Sequence, residues 1–147
     1  MKVIILSFAF ALTFSIGQVK DRPRVEFELR FAEQRPASGL VEVTFEGQKY
    51  YLHEKAVITN NDVLDAQAIE GMPQGVFGIE ITLSPEGAEN LSRATKAKAG
   101  KTMAILLNGE IKSAAMLTGE LSSNALVISG NFNREQAERL ADGIKSK

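Results

Sequence analysis

The chain carries one histidine, His53, and no cysteine. Those two counts remove a two-histidine metal site, a thiolate metal site, a cysteine nucleophile, a disulfide scaffold and lipid attachment through an N-terminal cysteine. His53 stands beside Tyr50, Tyr51 and Leu52 on a segment that reads as a strand. Its plain role there is a surface or edge residue, and no Ser-His-Asp arrangement is visible around it. Glu26 and Glu28 form a carboxylate pair, but alternate positions on the polar face of a strand are ordinarily solvated, and no glycosidase-like pair is read from them. The stretch "GMPQGVFG" has the glycines of a phosphate loop, yet it lacks the following Lys-Ser/Thr and precedes a strand instead of a helix. Asn90-Leu91-Ser92 matches a glycan acceptor inside an expected helix, where the triplet is discounted. The remaining chemistry is recognition. Tyr50 and Tyr51 are the possible partner contacts, with one ring expected to face the core and its neighbour to face outward, since adjacent strand residues point to opposite sides. No catalytic residue, metal ligand or cofactor-binding residue is assigned, and the chain reads as no enzyme.

These residues need a frame. "VEFELRF" alternates Val25, Phe27, Leu29 and Phe31 against Glu26, Glu28 and Arg30, the period of a half-buried strand. After a loop holding Pro36 and Gly39, "LVEVTF" reads as a second strand, "EGQ" as a turn and "KYYLHEKAVI" as a third, longer strand. Thr59 followed by Asp62 resembles an N-cap pair, and Val63, Leu64, Ala66 and Ile69 then fall near helical spacing, so a short helix is expected up to Gly71. Phe77, Ile79, Ile81 and Leu83 predict another strand. Ser84 suits an N-cap, Pro85 the first helical position, and Gly87 completes the start of a helix expected to run to Ala99 and stop at Gly100. Its expected apolar face is Ala88, Leu91, Ala94, Thr95 and the stem of Lys98. Asn108-Gly109 predicts a tight hairpin between Met103–Leu107 and Glu110–Met116, because a type I′ turn needs positive φ at both central residues. "ALVISG" is a further strand, Gly130 leads on from it, and Asn133 caps a last helix with Ala137, Leu140, Ala141 and Ile144 along one face.

The 147 residues are 44% hydrophobic and 24% charged, the composition of an ordinary folded domain. The net charge of -1 is spread without a long basic run, which argues against nucleic acid as a partner. The first residues differ from the rest: Lys2, then an uncharged run from Val3 to Ile16, with small residues at Ser15 and Gly17. This pattern predicts a signal peptide over residues 1–17; the alternative, a retained membrane anchor, conflicts with the roughly 20 apolar residues a bilayer requires. Export to a periplasmic or extracellular space follows, with a flexible lead over 18–24, a single α+β domain over 25–147, and no membrane span left after signal cleavage.

From about Lys55 onward the chain resembles the head subdomain of the first periplasmic domain of SecD and SecDF, membrane subunits that assist the Sec protein-export channel. The resemblance rests on four segments in order: "AVITNNDVLDAQA", "GIEITLSPEGAENLSRAT", "GKTMAILLNGEIKSAAML" and "LVISGNFNREQAERLADGI". It departs at Ala115, where the family often has proline, and near Asn124, where it often has glycine. The resemblance implies a ferredoxin-like antiparallel sheet with helices packed on one face, here preceded by additional N-terminal β-strands. It implies no complete translocase motor, because the family's proton-driven work depends on transmembrane helices. The function expected is an exported, non-enzymatic binding module contacting polypeptides or an envelope protein partner, with no cofactor. The alternative is a structural or regulatory subunit of an envelope assembly without substrate binding.

Overall fold

The computed structural model describes residues 23–145; the expected signal peptide and the lead up to residue 22 lie outside the described residues. The elements are β1 (Phe27–Glu33), β2 (Val41–Phe45), β3 (Gln48–Leu52), β4 (Ile58–Thr59), a 3₁₀ turn (Asn60–Asp62), β5 (Val63–Glu70), β6 (Phe77–Leu83), α1 (Pro85–Thr95), β7 (Thr102–Leu107), β8 (Glu110–Met116), β9 (Ala125–Phe132) and α2 (Arg134–Lys145). Every strand pairing is antiparallel. The expected α+β character is present, but the pairings make two sheets where a single ferredoxin-like sheet was implied. One has the order β2-β3-β1-β7-β8, with β4 also pairing β1; the other has the order β5-β6-β9.

The switch between sheets is the 3₁₀ turn. Thr59 and Asp62 do form the capping box read from the sequence, but they cap one turn only, and the chain then leaves as β5 instead of a helix. Helical spacing was the wrong period here for a definite reason. A bulge lets Val63 pair with Leu83 and Asp65 with Thr82, so Leu64 is skipped and Val63 and Ala66 reach the core three residues apart. Asn60 locks the turn: its Oδ1 accepts from Phe27 N (2.8 Å), and its Nδ2 donates to Val25 O (2.9 Å) and Ile144 O (3.0 Å).

Two other expectations are corrected. The long third strand breaks after Leu52 and resumes only at Ile58. Arg30 holds the break open from below, donating to His53 O (3.2 Å) and Glu54 O (2.6 Å). The helix after Ser84 stops at Thr95, short of Ala99, and leaves Lys98 exposed. Thr95 is buried there, donating to Leu91 O (2.8 Å) and accepting from Leu121 N (2.9 Å), and Ala97 then turns left-handed with φ 57°.

β1 and β7 have apolar residues on both faces. Phe27, Leu29, Met103 and Leu107 join Ile79, Ile81, Leu91 and Ile144 in the main core, which receives both helices. The opposite face holds Ala32, Leu52, Ala104, Leu106 and Ile111, against which Val43, Phe45 and Tyr50 pack. This second core is enclosed because the larger sheet curls until β2 approaches β8. The segment Val25–Leu52 is therefore integral: β1 is central to the sheet, and the β2–β3 hairpin walls the small core.

Candidate functional site

Sheet pairing dictates what stands at the open end of the larger sheet. Ala32 pairs with Leu52 and with Thr102, so the next position along β1, Glu33, meets Tyr51 of β3 on one side and the residue before β7, Lys101, on the other. His53, two residues on from Tyr51 and so on the same face of the sheet, stands diagonal to Glu33, its backbone N–H donating to Phe31 O (3.0 Å). His53 Nε2 lies 3.1 Å from Glu33 Oε1, and Lys101 Nζ lies 3.3 and 3.4 Å from the two carboxylate oxygens. The hydrogen bond with His53 holds the Glu33 carboxyl below its ordinary range; partial burial opposes this, and Lys101 reinforces it. The His53 ring also meets Phe31 edge-on, with centroids 6.2 Å apart. The single histidine is thus braced against a carboxylate whose oxygens are already shared between two partners.

The three residues wall a groove of about 860 Å³, completed by the Gln34–Leu40 loop with Arg35, by Gly100 and by Met116. Met116 is 62% exposed, and Val41, one residue past the loop, is 53% exposed. A mixed surface of this kind, with open apolar side chains beside charged ones, suits contact with another chain more than enclosure of a small molecule.

The other residues singled out in the sequence go elsewhere. Tyr50 packs against the second core, while Tyr51, half-buried, points to the opposite face beside Glu42. Neither ring lines the groove. Glu26 and Glu28 are not a pair: Glu28 receives two bonds from Arg30 (2.7 and 3.2 Å), and Glu26 is engaged through its backbone with Asn108 (2.9 and 2.8 Å). "GMPQGVFG" forms the β5–β6 hairpin tip, with Met72 fully exposed at its apex. In Asn90-Leu91-Ser92, Leu91 is buried on α1 and Ser92 bonds the Glu120 carboxylate.

The cap and turn residues have concrete geometry. Gly87 N donates to Ser84 Oγ (3.0 Å), Pro85 opens α1, and a Cβ on Gly87 would sit 2.8 Å from that of Asp62. Asn108 and Gly109 have φ of 50° and 80°. Asn133 and Gln136 exchange backbone-to-side-chain bonds of 3.0 and 2.8 Å at the start of α2, and Gly130 lies beneath the Phe132 ring. The sequence reading missed Glu33, Lys101, Arg30 and Asn60, whose partners are remote in sequence. Only the polar residues interrupting apolar alternation hinted at the first three.

Among the described residues, no helix is long and apolar enough to cross a membrane. The family model for the SecDF P1 head subdomain matches residues 31–146, and so includes the β2–β3 hairpin as well as the later elements. The protein translocase subunit SecD of Elusimicrobium minutum is 31% identical over 115 residues, covering 78% of this chain and 24% of that protein. SecD of Sebaldella termitidis is 36% identical over 89 residues, or 57% of this chain and 22% of that one. The chain thus spans about a quarter of the length of these relatives. A crystal structure of SecDF in a super-membrane-facing form superposes with a TM-score of 0.67 at 21% identity, over 84% of this chain and 19% of that one. A second solved structure, of SecDF described as a membrane component that enhances protein export, gives 0.66 at 20% identity over 84% and 63% of the two chains. With the same fold and a family match running from β1 through α2, this chain belongs to the SecDF P1 head subdomain family.

Proposed function

We propose that the chain is an exported module that binds polypeptide on behalf of protein translocation and catalyses no reaction. The observation that carries this reading is the family match over residues 31–146 to a subdomain of proteins named as translocase subunits. The open groove beside Glu33, with exposed Met116 at its mouth, supports it as a surface able to take another chain. Export rests on the N-terminal pattern of Lys2, the apolar run to Ile16 and Gly17. The non-enzymatic part is supported by the state of its one histidine, which is committed to Glu33.

In-cell crosslinking of the tagged full chain, followed by mass spectrometry of what is recovered, tests the proposal. Enrichment of diverse exported polypeptides or Sec components over a mock control is the expected outcome. One stoichiometric envelope protein would replace the reading with that of an assembly subunit, and recovery of no polypeptide would end it.

A further inference from the structure

The four terminal strands of the two sheets are unequally protected. β2 approaches β8, and β8 lies against β9, so each of these edges faces another strand. β5 ends the smaller sheet with no strand beyond it among the described residues.

Antiparallel pairs alternate between residues that exchange both hydrogen bonds and residues that turn both groups away. The phase is set at the two ends of β6. Gly71 N donates to Val76 O (2.8 Å), so the 71–76 pair is bonded, and Leu83 N donates outward to Asn124 O (2.7 Å), so the Val63–Leu83 pair is not. Asp65, Gln67 and Ile69 therefore bond to β6, and Ala66, Ala68 and Glu70 turn their N–H and C=O groups to the open edge. Asp65 Oδ1 already accepts from Ala66 N (2.9 Å). The edge is closed at its N-terminal end by this contact and by the bulge at Leu64, a known protection of edge strands. What remains is a short unprotected window: Ala66 C=O, both groups of Ala68 and Glu70 N–H.

We propose that this window is where an extended polypeptide segment adds to the protein as a fourth antiparallel strand of the smaller sheet. The inference rests on the polypeptide-binding reading above and assigns it a place. Two bonds to Ala68 fix the register, and single bonds to Ala66 and Glu70 extend it, a recognition that reads backbone and so tolerates many sequences. The side chains of Ala66 and Ala68 face the main core, so incoming residues level with them turn to the core side of the sheet and the intervening ones turn to solvent. At the N-terminal end Asp65 is already engaged by Ala66 N and by Lys145 (3.8 Å), whereas the exposed Glu70 carboxylate, which accepts from Gly75 N (3.0 Å) through one oxygen, favours a segment with a basic residue near the C-terminal end of the window.

The test uses the purified chain as the cell processes it, with reduced, carboxymethylated α-lactalbumin as a permanently unfolded probe. Saturating probe is expected to slow amide exchange at Ala68 and Glu70 about tenfold or more. Ala68→Pro removes an N–H that β6 does not use, which an edge strand tolerates, and is expected to weaken probe binding by about tenfold at unchanged fold. If the proline variant fails to fold, amide exchange in the unmodified chain decides alone. Probe binding with unchanged exchange at Ala68 and Glu70, or equal binding to a folded Ala68→Pro variant, overturns the assignment and leaves the polypeptide-binding reading standing. No probe binding at all removes both.

Discussion

Glu33 joins three segments that are remote in the chain, and its titration gives a direct check on the groove wall. Its carboxyl is held below the ordinary value of 4.5, chiefly by His53 and then by Lys101. A carboxyl whose pKa is depressed by folding contributes stability that is fully present above its unfolded value and lost as pH falls through the folded one. Glu33→Gln is therefore expected to lower the melting temperature at neutral pH, and the gap to the unmodified chain should close below about pH 4.5. Melting curves for both proteins across that range check this; a gap that stayed constant under acid would show that the ionised carboxylate contributes nothing. The effect is small, since Glu33 and its partners are partly exposed and water screens them. Asn60 carries more. Its side chain serves one donor and two carbonyls from Val25, Phe27 and Ile144, and Asn60→Ala leaves them unpaired at a part-buried junction. A loss of about 1–3 kcal/mol in urea unfolding is expected.

Gly143 shows how an element is placed by the absence of a side chain. A Cβ there would sit 2.5 Å from Val25 Cγ2 and 2.8 Å from Pro23 O, where the N-terminal segment crosses α2 and Val25 N donates to Gly143 O (3.0 Å). Alanine ordinarily gains up to about 1 kcal/mol over glycine inside a helix, but overpacking costs about 1–3 kcal/mol, and one of the clashing atoms is backbone that cannot rotate away. Gly143→Ala should therefore destabilise despite its better helix propensity, which thermal denaturation will read. Gly109→Val is a parallel case at a turn. It forces a β-branched residue to φ near 80° and is expected to cost more than about 1 kcal/mol; an unchanged melting temperature would show that the turn relaxes without strain. Elements governed by neighbours in the chain were legible in the sequence. Asn108-Gly109, the Ser84 and Asn133 caps and the alternation of Phe77 to Leu83 all act within a few residues. The β5 segment was not, because its bulge gives a strand the spacing of a helix. The break after Leu52 was hidden too, since it depends on Arg30 reaching across from β1. The groove was less legible still: Glu33 and Lys101 stand 68 positions apart, and only the register of β1 with β7 brings them together.

The division of the strands into two sheets makes the larger one serve two cores at once. Along β7, Met103 and Leu107 point into the main core while Ala104 and Leu106 point into the small one, and β1 does the same with Leu29 and Ala32. Loss of order in the small core therefore withdraws support from strands on which the main core rests. Leu106 is 2% exposed, and Leu106→Ala should cost about 2–5 kcal/mol, comparable to truncation of the fully buried Ile81 in the main core. The form of the transition is the more informative result. Shared strands require that Leu106→Ala and Ile81→Ala each shift one cooperative urea transition, with tyrosine fluorescence and far-ultraviolet circular dichroism coinciding. Both tyrosines, Tyr50 and Tyr51, lie on β3, so the fluorescence signal reports on the β2–β3 hairpin that walls the small core. If Leu106→Ala instead moved the fluorescence transition ahead of the circular dichroism, the β2–β3 hairpin would be opening by itself. The groove wall at His53, which directly follows β3, would then be a movable part of the molecule and not a fixed face of it.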